Sequence, residues 1–321
     1  MNKKILVFGG GTGMSCLLRG LKEFPVSLTA VVSVSDDGGS TGILRDEFDM
    51  VAVGDVRRVL VSLSQTDEDL ETLLNYRFSS KGSLNKHTVG NVLLTAAKDM
   101  TGSMQKGIKL LGKVLNLRGN VMPVTESNID LYAVMEDDSI IKGEHYITES
   151  DKRIKKVFYK DEPVINNKLI KEIKNADLIV FSMGSLYTSI LPCILSDKII
   201  NAIDESNAKI LYACNLFTQP GETEGFKVSN HIKVINEYLG KKKVSMVIAN
   251  KGKLDKELAN KYLTAEQKDE VILDYKETNK LVENIISDDL IRIDSHGFFR
   301  HNYLKLAFLI FSVLINEKKN K

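Results

Sequence analysis

The run Gly9-Gly10-Gly11-Thr12-Gly13 is the first stretch whose residue types could do chemistry. Backbone N–H groups unshielded by side chains, at the start of a helix, can cradle a phosphate. Asp36-Asp37-Gly38-Gly39-Ser40 joins two acids to a second glycine-serine turn. Gly54-Asp55-Val56-Arg57-Arg58 places two arginines in a first helical turn, against the preference of a helix N-terminus for acids. They either reach an anion or pair with the acidic run Asp67–Glu71. Gly184-Ser185-Leu186-Tyr187-Thr188-Ser189 offers hydroxyls to a phosphate or a sugar, with Ser185 as a simple helix cap the plainer alternative. Asn215 to Phe226 forms a polar loop with a Pro-Gly turn, suited to reading a base or a sugar. The first loop matches no standard nucleotide pattern in full. It lacks the Gly-Lys-Ser/Thr of a Walker A loop, and the last glycine of Gly-x-Gly-x-x-Gly is replaced by Met14 or Cys16, depending on the starting glycine. A plain tight turn between a strand and a helix remains the alternative.

These groups need a frame. Ile5–Phe8 reads as a short buried strand, and Leu17, Leu18 and Leu21 resume at helical spacing. Ser27–Val34 reads as a second strand parallel to the first. Two glycine loops at the ends of adjacent parallel strands share one sheet edge, where such folds bind ligands. Gly54 onward predicts a helix N-capped by Asp55, and His87–Leu94 leads into a helix over Val92–Met100. Gly90 and Asn91 at its start suit close approach to a ligand; His87 is either structural or part of a site. Short β segments from Asn120 to Val157, with a hairpin turn at Met135–Asp138, predict a small antiparallel insert without chemistry of its own.

From Asn166 the α/β alternation returns, with a helix over Lys168–Lys174 and strands at Asp177–Phe181, Lys209–Ala213 and Val244–Ala249. Ser229 is placed as the cap of a helix over His231–Leu239. Glu270–Leu273 and Leu290–Ile293 read as edge strands. Phe298–Asn302 opens a last helix, with Arg300 and His301 near its start strengthening an anion site. The pattern predicts an α/β fold, a parallel sheet flanked by helices with a small antiparallel β insert at 120–157, in one large domain or two intimate ones.

The chain has 321 residues, 43% of them hydrophobic, enough for a sizeable core. Its 44 basic and 42 acidic residues nearly balance, which speaks against broad attraction to nucleic acid or membrane. Cys16, Cys193 and Cys214 lack metal-like spacing and sit beside apolar residues, predicting buried free thiols in a reducing, cytoplasmic setting. The first strand begins too early for a signal peptide. Leu304–Ile315 contains Lys305 and falls short of the roughly 20 residues of a membrane span, so a buried C-terminal helix is expected.

Taken in order, Gly9–Gly13, Asp36–Ser40, Gly54–Arg57, Gly184–Ser189, Thr218-Gln219-Pro220-Gly221-Glu222-Thr223 and Arg300–Asn302 resemble the gluconeogenesis factor family, the YvcK-like branch of the CofD-like superfamily. The resemblance covers nearly the whole chain and implies a single α/β domain over 1–321 built on a Rossmann-like parallel sheet. It implies cytoplasmic proteins that bind UDP-sugars, UDP-N-acetylglucosamine in particular. It also implies a role in normal cell shape and cell-wall synthesis during growth on gluconeogenic carbon sources. It implies UDP-sugar contacts at Tyr262 and Arg300, and a diphosphate facing the glycine loops. The chain departs from the family at Met183, where a proline is usual, and at Val51–Val53, which replaces a proline-rich segment.

The combined reading is a UDP-sugar-binding regulator that requires no cofactor, with no catalytic or metal-binding residue assigned. Expected ligand contacts in the first loop are Gly10, Gly11, Thr12, Gly13 and Met14. Asp36, Asp37, Ser40, Asp55, Arg57 and Asn91 follow, then Gly184, Ser185, Tyr187 and Thr188. Asn215, Thr218, Glu222, Tyr262 and Arg300 complete the set. Asp36, Asn215 and Thr218 are expected at sugar or ribose hydroxyls, Tyr262 on the uracil and Arg300 at the diphosphate. Expected partners are the nucleotide sugar and cell-wall regulatory proteins, with a homodimer left open. One rival is a Mg²⁺-dependent phosphoryl or phospho-lactyl transferase, related to 2-phospho-L-lactate transferase and using Asp36, Asp37 or Asp55. The other is a dinucleotide oxidoreductase; the incomplete fingerprint opposes it, although NAD shares the diphosphate and could occupy the site in vitro.

Overall fold

The computed structural model describes residues 2–65, 67–252, 268–294 and 297–316. Its strands are β1 (Lys3–Gly9), β2 (Val26–Val32), β3 (Asn120–Pro123), β4 (Leu131–Met135), β5 (Ile140–Lys142), β6 (Ile154–Tyr159), β7 (Leu178–Phe181), β8 (Lys209–Ala213), β9 (Met246–Asn250), β10 (Asn284–Asp288), β11 (Ile291–Ile293) and β12 (Phe299–His301). Seven of them form one sheet in the order β10-β9-β8-β7-β1-β2-β3, and every pairing in it is parallel. The order grows outward from β1 in both directions, so the topological switch point lies between β1 and β7. Ile5–Phe8 and Leu178–Phe181 are buried throughout, as central strands covered on both faces must be.

The helices that matter for the site follow these strands. They are α1 (Gly11–Leu21), α2 (Gly39–Glu47), α3 (Gly54–Leu63), α4 (Glu68–Asn75), α5 (Val89–Thr101), α6 (Met104–Val114) and α7 (Glu144–Thr148). Met14, Leu17, Leu18 and Leu21 bury one face of α1. The C-terminal helix, Tyr303–Asn316, packs on α1 and buries Leu306, Ala307, Ile310 and Leu314. A Cβ on Gly20 would stand 2.3 Å from the Tyr303 carbonyl oxygen, so glycine is what lets these helices come so close. Among the described residues no single helix is long and apolar enough to cross a membrane.

Several expected elements move. The insert is the antiparallel sheet β5-β4-β6, while Asn120–Pro123 joins the main sheet as its edge, beside β2. Pro123 is tolerated there because an edge strand can spare an N–H. Phe299–His301 is a strand paired with β11, and the last helix starts only at Tyr303. Leu290–Ile293 therefore contributes to a hairpin rather than to the main sheet. Glu270 makes a single bridge to Phe217 in place of a strand, and the strand β10 was not foreseen. Helix Val228–Tyr238 already contains Ser229, whose N–H and hydroxyl donate to Asp274 at 3.1 and 2.6 Å. The cap of α3 is Val53, which leaves Asp55 inside the first turn. All three cysteines are free; Cys193 and Cys214 are buried and Cys16 is half-buried.

Candidate functional site

At the carboxyl ends of β1 and β7 the backbone segments that leave the two strands border a cavity of about 470 Å³. Gly10, Gly11, Thr12, Gly13, Gly184, Ser185, Asn215, Thr218 and Arg300 all line it, which brings together nine of the expected contacts. Gly10 caps α1 without any side-chain hydrogen bond, and Gly11 adopts φ +65°. The start of the helix thus offers its positive field to an anion. A Cβ on Gly13 would stand 1.6 Å from the Met183 carbonyl oxygen, so the first and third glycine loops touch backbone to backbone. The Met14 side chain lies in the core, outside the cavity.

Asn215 spends its side chain on Gly184, accepting from its N–H at 3.2 Å and donating to its carbonyl at 2.7 Å. The Thr218 hydroxyl accepts the Asp269 N–H at 2.9 Å. Both residues line the cavity while their side chains fix its walls. Ser185 is indeed a cap, accepting the Thr188 N–H at 3.0 Å, and its hydroxyl also donates to Glu222 at 2.7 Å. Glu222 is buried beneath the loop and further accepts the Tyr187 N–H at 3.2 Å and Gln219 Nε2 at 3.1 Å. Burial raises its pKa, while the Ser185, Tyr187 and Thr188 donors oppose the rise. Tyr187 and Thr188 are themselves buried.

Carboxylates gather on one flank of the glycine loop. Asp36 accepts the Gly38 N–H at 2.9 Å, and Asp37 accepts the His145 N–H at 2.8 Å, tying the β2 loop to α7. Asp55 accepts the Gly11 N–H and faces Arg58 at 3.1 Å; burial raises its pKa, with Arg58 opposing and Asp36 reinforcing. Glu144 comes from the insert that was expected to be chemically silent. Burial, then the charges of Asp36, Asp55, Glu222 and Asp37, push its pKa well above the usual glutamate value. Only spatial proximity reveals it, since nothing in its local sequence marks it. Behind this flank, Ser40 bonds His87 Nδ1 at 2.9 Å and Asn91 Nδ2 at 3.2 Å in a buried network away from the cavity.

Among the described residues no group of three or more His, Cys, Asp or Glu could hold a metal ion. Asp55 nevertheless packs against the first loop and Asp36 against the start of α3: a Cβ added to Gly10 would stand 2.1 Å from Asp55, and one added to Gly54 3.0 Å from Asp36. Two carboxylates suit Mg²⁺ where substrate phosphates and water complete its shell.

Arginines occupy the other flank. Arg57 bonds Asn75 and Arg58 bonds Asp55, so neither takes the acidic run of α4; Arg19 does, through Glu71. The Arg300 Nε lies 3.3 Å from the Asp294 carboxylate, and its guanidinium sits 5.3 Å from the Phe298 ring centre. His301 does not add a cation beside it. Its Nε2 meets the Cys214 carbonyl at 3.1 Å, and burial pushes its pKa down to about 4, leaving it neutral near pH 7. Tyr262 lies outside the described residues. An aromatic wall not foreseen from sequence is made by Phe217 and Phe299, with ring centres 5.6 Å apart.

The family model for 2-phospho-L-lactate transferase CofD matches residues 5–291. The gluconeogenesis factor of Halalkalibacterium halodurans is 42% identical to this chain over 307 residues, which cover 95% of this chain and 94% of that one. The gluconeogenesis factor of Bacillus subtilis is 39% identical over 312 residues, 97% and 98% of the two chains. A crystal structure of a UPF0052 family member from Bacillus halodurans is similar at a TM-score of 0.91 and 41% identity, covering 96% of this chain and 99% of that chain.

Proposed function

Because this chain belongs to the CofD family, in its gluconeogenesis-factor branch, we propose that its crevice binds a nucleotide sugar, UDP-N-acetylglucosamine in particular, as a regulatory ligand. One observation carries the reading: the helix start at Gly10–Gly13, whose cap residue Gly10 has no side chain to cover it, and the Arg300 guanidinium border the same cavity of about 470 Å³. A diphosphate between them takes backbone N–H groups on one side and a charge-assisted bond on the other. The Phe217–Phe299 wall gives the base an apolar face. On this reading the liganded protein acts in the cytoplasm on cell-wall regulatory partners and sustains cell shape during gluconeogenic growth.

Calorimetric titration with UDP-N-acetylglucosamine tests this, with UDP-glucose and NAD as comparators and Mg²⁺ present or absent. Saturable binding with the nucleotide recovered unchanged is the expected result. Absence of binding, or conversion of the ligand, overturns it. A second reading, Mg²⁺-dependent phosphoryl or phospho-lactyl transfer, is favoured by Asp36 and Asp55 flanking the loops. Mg²⁺ held there would neutralise phosphate charge, while the glycine loops orient the transferred group. Product formation that requires Mg²⁺ would establish this second reading in place of the first.

A further inference from the structure

The chain carries nine arginines against 35 lysines. Five of the nine, Arg19, Arg57, Arg58, Arg292 and Arg300, line one cleft of about 780 Å³, and no lysine among the described residues does. The cleft adjoins the glycine-loop cavity and shares Thr12, Cys16 and Arg300 with it. Only two of its lining residues, Glu68 and Asp294, are acids. The arginines come from α1, α3 and the β11–β12 hairpin, so the concentration is made by the fold and not by a basic run.

Three of these side chains are held by a carboxylate: Arg19 by Glu71, Arg58 by Asp55 and Arg300 by Asp294. The Arg292 guanidinium lies over the Tyr303 ring, 4.9 Å from its centre. Arg57 differs. It is only 7% exposed, its Nη1 bonds the neutral Asn75, and its buried Nε has no hydrogen-bond partner. Burial, then the charges of Arg58 and Arg77, pull its pKa down to about 10, with only Asp55 opposing. A buried guanidinium without an anion is costly, and such orphans in native proteins need an explanation. Arginine in place of lysine also matches the oxygen geometry of phosphate, which the guanidinium fork binds two bonds at a time.

We propose that this cleft is a second anion site, which takes a phosphate-class dianion separately from the ligand of the glycine-loop cavity. The neighbouring carboxylates orient the outer arginines, and Arg57, which has no carboxylate partner of its own, adds its uncompensated charge to the wall. The claim stands whatever ligand the first cavity holds.

Phosphorus NMR titration of the purified protein with inorganic phosphate at low ionic strength tests it, with and without saturating UDP-N-acetylglucosamine. Phosphate should bind saturably in both cases and weaken steeply with added salt. Arg19→Gln with Arg292→Gln should weaken phosphate by about tenfold or more while changing UDP-N-acetylglucosamine affinity by less than about twofold. Arg57→Gln should weaken it likewise; the exposed double variant decides the matter should Arg57→Gln fail to fold. Phosphate displaced by the nucleotide sugar, bound equally by the double variant, or not bound saturably would overturn the proposal. If the nucleotide sugar itself does not bind, comparing the variants with phosphate alone still decides.

Discussion

The two flanks of the β1–α1 loop carry opposite charge and are finished to different degrees. On the acidic flank Asp36, Asp37, Asp55 and Glu222 each accept a backbone N–H from the loops and helices around them. They hold the glycine loops in place. On the arginine flank the groups are held from behind, and Arg57 keeps a buried donor without an acceptor. The contrast teaches that charge near a ligand loop does not by itself mark a contact. An acid that accepts N–H groups of its own chain serves the scaffold whatever else it does, whereas a buried cation without a carboxylate partner calls for a further partner.

Mutation should therefore cost folding on one flank and binding on the other. The largest effect is expected from Glu222→Ala, which strands the Ser185 hydroxyl and the Tyr187 N–H in a buried setting. Urea unfolding should show a loss of about 3 kcal/mol; a loss below about 1 kcal/mol would remove Glu222 from the scaffold. Arg300→Ala should weaken UDP-N-acetylglucosamine by about 1.5–3 kcal/mol while moving stability by less than about 0.5 kcal/mol. Calorimetry paired with unfolding separates the two, and unchanged affinity would sink the role of Arg300.

The subtlest test concerns Glu144. Its folded pKa lies above the ordinary 4.5, so the stability it contributes is full below that value and is lost as the pH climbs through the folded one. Buried neutral His301 works in the opposite sense over part of this range, so the difference between two proteins is what carries the effect. The thermal midpoint of the wild type should fall relative to that of Glu144→Gln as the pH rises from 4.5 towards neutrality; parallel curves would mean that the crowding of charge lies elsewhere.

Much of the fold was legible because its signals are local. Ile5–Phe8 followed by glycines, and the later runs ending at Phe181 and Ala213, announce parallel strands with loops at one edge. The sheet margins were harder. Asn284–Asp288 is polar at both ends, and its apolar residues do not alternate with polar ones, so it gives no strand period. Phe299–His301 sits directly before an apolar helical run and reads as the beginning of it; only pairing with Ile291–Ile293 makes it a strand. The same limit applies to the site. Glycine loops advertise themselves, and nine expected contacts do meet at the cavity. The cleft does not, because Arg19 and Arg292 stand alone in unrelated segments, and only the disproportion of arginine in one place, once folded, sets them apart.

The Arg300 strand immediately precedes the helix that closes over Gly20, and this bears on timing during synthesis. Gly10 emerges from a ribosome about 290 residues before Arg300. At roughly 5–20 residues per second that interval lasts on the order of 15–60 s. Throughout it the nascent chain owns the Gly10–Gly13 amides but not the Arg300 guanidinium. Ligand capture through Arg300 therefore begins only after the C-terminal segment has been translated and docked, so a stalled or shortened product cannot compete for the ligand by that contact.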